Sequence, residues 1–144
     1  VLSTCDQAAD WSGGELDQTV FKEGAGAIRW EHGKASDLRL RAPATDWSPF
    51  TSIGFWLHSS KATDSRFIVY IGSENPATKG ADYYSRRIRL DFEGWKHFDF
   101  RLGGLGVARQ PIGWGSITDL SFRASGWGNT PHPEAVVHVD QIVL

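Results

Sequence analysis

The chain has 144 residues, the usual size of one folded domain, with 40% hydrophobic residues and seven Trp. It is too apolar for disorder, and no apolar run approaches the length of a membrane span. A net charge of −2 gives no reason to expect nucleic acid or a membrane surface as partner.

Apolar and polar residues alternate along nearly the whole chain, the period of a strand with one buried face. The alternation predicts about ten strands, near residues 2–6, 18–21, 26–32, 37–42, 51–58, 65–72, 83–91, 95–102, 117–125 and 135–144. Turn clusters separate them: Ser12-Gly13-Gly14, Glu23-Gly24-Ala25-Gly26, Ser59 to Ser65, Glu74 to Ala81, Gly103 to Gly106 and Gly126 to Pro133. Gly and Pro collect there, where the backbone must turn. No convincing helical stripe is found. The expected fold is therefore all-β: a two-sheet antiparallel β-sandwich (jelly roll), residues 1–144 forming one domain. Cys5 is the only cysteine, so no internal disulfide forms, and a buried, inert thiol is expected. A start at Val1 and a lack of Met read as a mature or excised piece of a longer protein.

Alternation also assigns faces. With Leu38/Leu40, Ile53/Phe55/Leu57, Phe67/Val69/Ile71, Ile88/Leu90/Phe92, Phe98/Phe100/Leu102 and Leu120/Phe122 inward, the polar and aromatic residues between them point out. Trp56, His58 and Tyr70 belong to that outward set, as do Arg39, Arg41, Arg87, Arg89 and Arg123. His97, Asp91, Asp99, Arg101 and Ser125 join them, with Arg29 and Glu31 if Ile28 and Trp30 point in. These residues must divide between two outer faces.

An outward Trp56 and Tyr70 need explaining, because large aromatics on a sheet face are either covered or used. A sugar ring stacks its C–H face on an aromatic plane while Arg, His and Asp take its hydroxyls. Arg39, Arg41, Arg87, Arg89 and Arg123 outnumber the acids on their strands, and Arg outnumbers Lys ten to five in the chain. Guanidinium makes planar, two-point contacts with carboxylate or sulfate, so an acidic polysaccharide is a reasonable ligand. Trp47 and Trp95 read as packing. Trp11, Trp114 and Trp127, in Gly-rich stretches, either cover the core or clamp a ligand at the rim, with core cover expected.

The order Asp46-Trp47-Ser48-Pro49-Phe50, Ile53-Gly54-Phe55-Trp56-Leu57, Gly94-Trp95-Lys96, Ile117 to Phe122 and Val139-Asp140-Gln141-Ile142 resembles a known layout. So do Ser3-Thr4-Cys5-Asp6, Trp11-Ser12 and Lys22 to Ala27. The layout is that of carbohydrate-binding modules with the galactose-binding-like β-jelly-roll fold, of the kind appended to polysaccharide lyases and glycoside hydrolases. The resemblance implies a structural calcium ion held by Asp6, the Lys22–Gly24 loop with Glu23, and Asp140. Oxygen donors of this kind suit calcium.

The expected function is non-catalytic polysaccharide binding that targets a covalently linked catalytic domain, in a secreted or extracytoplasmic, monomeric setting. Trp56, His58, Tyr70, Arg39, Arg41, Arg87, Arg89 and Arg123 are the candidate ligand-binding residues. Two other classes stay open: a structural or protein-contact domain, and a small jelly-roll lyase using His58, Tyr70, Arg87 and His97.

Overall fold

The computed structural model describes residues 1–144. Its eleven strands, in chain order, are β1 Trp11–Ser12, β2 Glu15–Asp17, β3 Ala27–Glu31, β4 Asp37–Leu40, β5 Ser52–Ser59, β6 Arg66–Gly72, β7 Tyr83–Arg89, β8 Gly94–Arg101, β9 Gly106–Ala108, β10 Asp119–Arg123 and β11 Val136–Val143. They form two antiparallel sheets. One has six strands in the order β1-β4-β10-β6-β7-β9, the other five in the order β2-β3-β11-β5-β8. This is the β-sandwich that the alternation predicts.

Two expected strands are absent. Residues 2–6 contribute only an isolated bridge between Ser3 and Ile142, because Cys5 turns the backbone to φ 62°. Residues 18–21 are not a strand either. Asp17 Oδ1 accepts from the Thr19 amide (2.8 Å) and hydroxyl (2.6 Å), a local turn that ends β2. Conversely, β1, β2 and β9 are too short, at two or three residues, for alternation to reveal them.

The inward residues of both sheets share one core of 25 buried side chains. Phe122 sits at its centre, with ring contacts to Trp11, Trp30, Phe55 and Phe67 at 5.5–6.5 Å. Truncating such a residue costs about 3–5 kcal/mol. Trp47 and Trp114 stack at 6.3 Å, and Trp114 stacks again on Tyr84 at 3.9 Å, closing one end of the sandwich. Trp11 and Trp114 are thus core cover, as expected. Cys5 is buried, and burial pushes its thiol pKa up to about 12, which leaves it without nucleophilic character.

Alternation is complete in β4 and in the longer β5, with every second residue buried. β6 departs from it. Six of its seven residues are buried, so outward-pointing Ile68 and Tyr70 are covered as well. Side chains of the neighbouring strands lie across this face, with Arg123 of β10 and Tyr83 of β7 against Tyr70.

Candidate functional site

Alternation decides which face a side chain takes; strand pairing decides which sheet. β5 joins β8 and β11, whereas β6 joins β7 and β10. Trp56 and His58 therefore lie on the outer face of the five-stranded sheet, and Tyr70 lies on the outer face of the six-stranded one. Arg39, Arg41, Arg87 and Arg123 accompany Tyr70. The sandwich core separates the two sets, so the candidate residues do not form one site.

On the six-stranded face, the registers align Arg39, Ser121, Tyr70 and Ser85 across β4, β10, β6 and β7. Arg123 turns back along its own strand. Its Nε donates to Ser121 Oγ at 2.9 Å and its Nη2 to Asp119 Oδ2 at 2.8 Å. The guanidinium lies 3.6 Å over the Tyr70 ring. Tyr70 stacks in turn on Tyr83, 4.4 Å away and nearly parallel. With Arg123 and Tyr83 both against it, Tyr70 is only 4% exposed. Its ring supports Arg123 rather than offering itself to a sugar, a correction to the stacking role that its outward parity suggests.

The exposed aromatic here is Trp127. It is 38% exposed, donates its indole N–H to Tyr83 Oη at 2.7 Å, and meets Tyr70 and Tyr83 edge-on. Gly126 and Asn129 pair reciprocally across this loop, and Gly126, Trp127 and Gly128 all have positive φ (94°, 55° and 79°). A bulky residue in the left-handed region costs roughly 1–2 kcal/mol, strain typical of residues placed for use. The expectation that Trp127 covers the core is corrected. The signal available in the sequence was the Gly126-Trp127-Gly128 triplet.

A groove of about 480 Å³ runs beside this stack, lined by Arg39, Arg41, Tyr70, Glu74, Asp119 and Arg123 among others. Arg39 Nε pairs with Asp119 Oδ1 at 3.3 Å. Arg41 Nε donates to the Trp11 carbonyl at 3.1 Å. Each of the three guanidiniums is thus anchored through Nε yet keeps terminal N–H groups for a ligand. Arg87 stands exposed on the same face, opposite Ile68. Arg89 is spent in a two-point pair with Asp64, as a sheet-edge salt bridge.

On the opposite face Trp56 and His58 are half-buried under neighbouring side chains. Lys22 Nζ sits 4.5 Å from the Trp56 ring centroid, and His97 packs edge-on at 4.9 Å. His58 lies between Trp95 and His138; burial, and then His138, hold its pKa below the ordinary histidine value. His138 bonds Asp17 Oδ2 at 2.9 Å. Asp17 is held well below the usual carboxylate range, first by the Thr19 hydroxyl and amide and then by His138.

Beneath the Lys22–Gly26 loop stand two of the three expected calcium ligands. Asp6 Oδ1 accepts from the Ala25 and Gly26 amides, and Asp140 Oδ2 accepts from the Lys22 and Glu23 amides. A bulge in β11 after Asp140 aims this side chain. Asp140 Oδ1 is buried with no partner, and burial raises the Asp140 pKa. Gly24, at φ 70°, leaves room that a Cβ would take within 2.7 Å of Asp6 Oδ2. Glu23 enters through its amide, while its side chain is exposed. No three His, Cys, Asp or Glu side chains gather in metal-binding geometry. The loop turns four amide N–H groups toward the two carboxylates, and the orphaned Asp140 Oδ1 is the oxygen left without a donor, one of the kind a hard cation takes.

No family model and no curated protein matches the chain. Solved structures do. A family 11 carbohydrate-binding module from Clostridium thermocellum, in complex with a β-1,3-1,4-mixed-linked tetrasaccharide, superposes at TM-score 0.65 with 16% identity, over 98% of this chain and 91% of that one. A family 30 module gives TM-score 0.64 at 14% identity, over 90% and 71%. A family 16 module gives 0.59 at 14%, over 92% and 88%. At these identities the likeness is one of architecture: the chain has the two-sheet β-sandwich fold of carbohydrate-binding modules.

Proposed function

We propose that this chain is a non-catalytic polysaccharide-binding module whose site is the outer face of the six-stranded sheet. The observation that carries the reading is the groove of Arg39, Arg41 and Arg123, each anchored through Nε, which Tyr70 also lines, with the exposed ring of Trp127 edge-on to Tyr70 at 6.1 Å. Trp127 offers a plane for a pyranose C–H face, and the guanidiniums offer paired N–H donors to hydroxyls, carboxylate or sulfate. The fold shared with modules such as the tetrasaccharide complex supports the same reading.

The preferred ligand is an acidic polysaccharide, uronate-containing or sulfated. The module holds a linked catalytic domain on its polymer by raising local concentration, as a monomer in a secreted or extracytoplasmic setting. A calcium ion bound by Asp6, Asp140 and carbonyls of the Lys22–Gly24 loop would fix that loop and neutralise Asp140.

A lyase built from His58, Tyr70, Arg87 and His97 has no support, because His58 and His97 face away from Tyr70 and Arg87 across the sandwich. Affinity electrophoresis of the purified domain against neutral and acidic polysaccharides tests the proposal. Retardation by acidic polymers that weakens with salt is the expected result. Retardation by neutral polymers alone removes the acidic preference. No retardation by any polymer would favour a structural or protein-contact domain.

A further inference from the structure

The groove is not simply basic. Arg39, Arg41 and Arg123 share it with Asp119 and Glu74, three positive charges against two negative, a net of +1. Asp119 is the hub. It holds Arg39 on Oδ1 at 3.3 Å and Arg123 on Oδ2 at 2.8 Å, and it is mostly shielded, at 18% side-chain exposure. Glu74 is fixed at the groove wall: its amide donates to Thr118 Oγ1 and its carboxylate accepts the Asp82 amide, both at 3.3 Å. Beyond Tyr70 the face changes character, to Tyr83 and Trp127, and its charges lie farther along β6 and β7, at Arg87, Arg66 and the Asp64-paired Arg89.

From β4 to β7 the face spans three strand spacings, roughly 14 Å, the length of a short oligosaccharide. An anionic sugar is served at the β4–β10 end, where terminal guanidinium N–H groups are free. The next ring meets an aromatic platform. A second anion close to the first meets Asp119 or Glu74, and like charges at that range repel.

We propose that Asp119 and Glu74 select the charge density of the ligand: the groove takes a polysaccharide whose carboxylates are spaced by neutral sugars and disfavours a densely sulfated one. This rests on the reading that the groove binds acidic polysaccharide. Asp119 acts as a positioning residue for both guanidiniums, and Glu74 acts by charge alone.

Isothermal titration of the wild-type domain, Glu74→Gln and Asp119→Asn is run at one ionic strength with three probes. They are hyaluronan (one carboxylate per disaccharide, unsulfated), heparin (densely sulfated) and laminarin (neutral). Thermal melts check that each variant folds. The wild type is expected to bind hyaluronan more tightly than heparin. Glu74→Gln should strengthen heparin binding roughly tenfold, the scale of removing one nearby charge in a half-exposed groove, and change hyaluronan binding less. Asp119→Asn should also strengthen heparin and, by loosening Arg39 and Arg123, narrow the gap between the two polymers. Heparin binding at least as tight as hyaluronan in the wild type, or unmoved in Glu74→Gln, overturns the inference while leaving an acidic ligand in place. Binding of laminarin alone, or of nothing, strikes the underlying reading instead.

Discussion

Replacing Trp127 by Ala tests the site most directly, because this ring is presented to solvent at a backbone cost. With 38% of the residue exposed, a side chain of roughly 250 Å² leaves about 90 Å² for a ligand to cover. At ~25 cal/mol per Å², covering most of that area contributes ~2 kcal/mol, or about thirtyfold in affinity. The fold should lose less. The indole N–H bond to Tyr83 is solvent-exposed and worth ~1 kcal/mol, and Ala keeps the left-handed strain that Trp bears at φ 55°. Trp127→Gly removes the ring and also relieves roughly 1 kcal/mol of that strain, so it should melt higher than the Ala variant and bind just as poorly. Trp127→Phe keeps a platform and should retain most of the affinity. The assay is titration with the tightest polymer from the electrophoresis panel, alongside thermal melts. Affinity within twofold of wild type in both Ala and Gly variants would refute the placement of the site on this face.

Three further outcomes follow from the structure. Trp56→Ala should leave polysaccharide binding unchanged while lowering the melting temperature by a few degrees, since Lys22 and His97 occupy its ring; loss of binding in titration would move the site to the five-stranded sheet. His32 is 2% exposed, with neither ring nitrogen bonded, and burial and then His132 push its pKa down from 6.5 to about 4. The unfolded chain therefore binds this proton first as pH falls, so the stabilising contribution is intact above pH 6.5 and is lost between about 6.5 and 4. The full difference is worth roughly 3 kcal/mol, and urea unfolding of His32→Phe should show a flatter acid limb than wild type over that window. Finally, calcium should raise the melting temperature and a chelator should lower it. Asp140→Asn should abolish the calcium response, and a chelator-insensitive wild type would remove the cation from this loop.

Much of the fold was legible before any coordinates. Alternation in segments such as Ile53 to Leu57 and Phe67 to Ile71 records which side of a strand meets the core, because burial favours apolar side chains on one face only. Eight of the ten expected strands stand where alternation placed them. The first candidate strand failed at Cys5, whose positive φ leaves no mark in the hydrophobic pattern. The second failed at Asp17, whose side chain competes with the ladder for the Thr19 amide.

The candidate site was legible only in part. Arg39, Arg41 and Arg123 are on the groove, and their type and parity were enough to nominate them. Parity could not say that Trp56 and Tyr70, on consecutive strands, would be carried to opposite sheets by long-range pairing with β11 and β10. Nor could it say that Arg123 and Tyr83 would enclose Tyr70, or that a glycine-flanked loop remote in sequence would bring Trp127 over the same stack. Facing is a local property of the extended backbone, encoded every second residue. Which faces share a surface is set by hydrogen-bonded partners tens of residues away, and only the closed sandwich decides it.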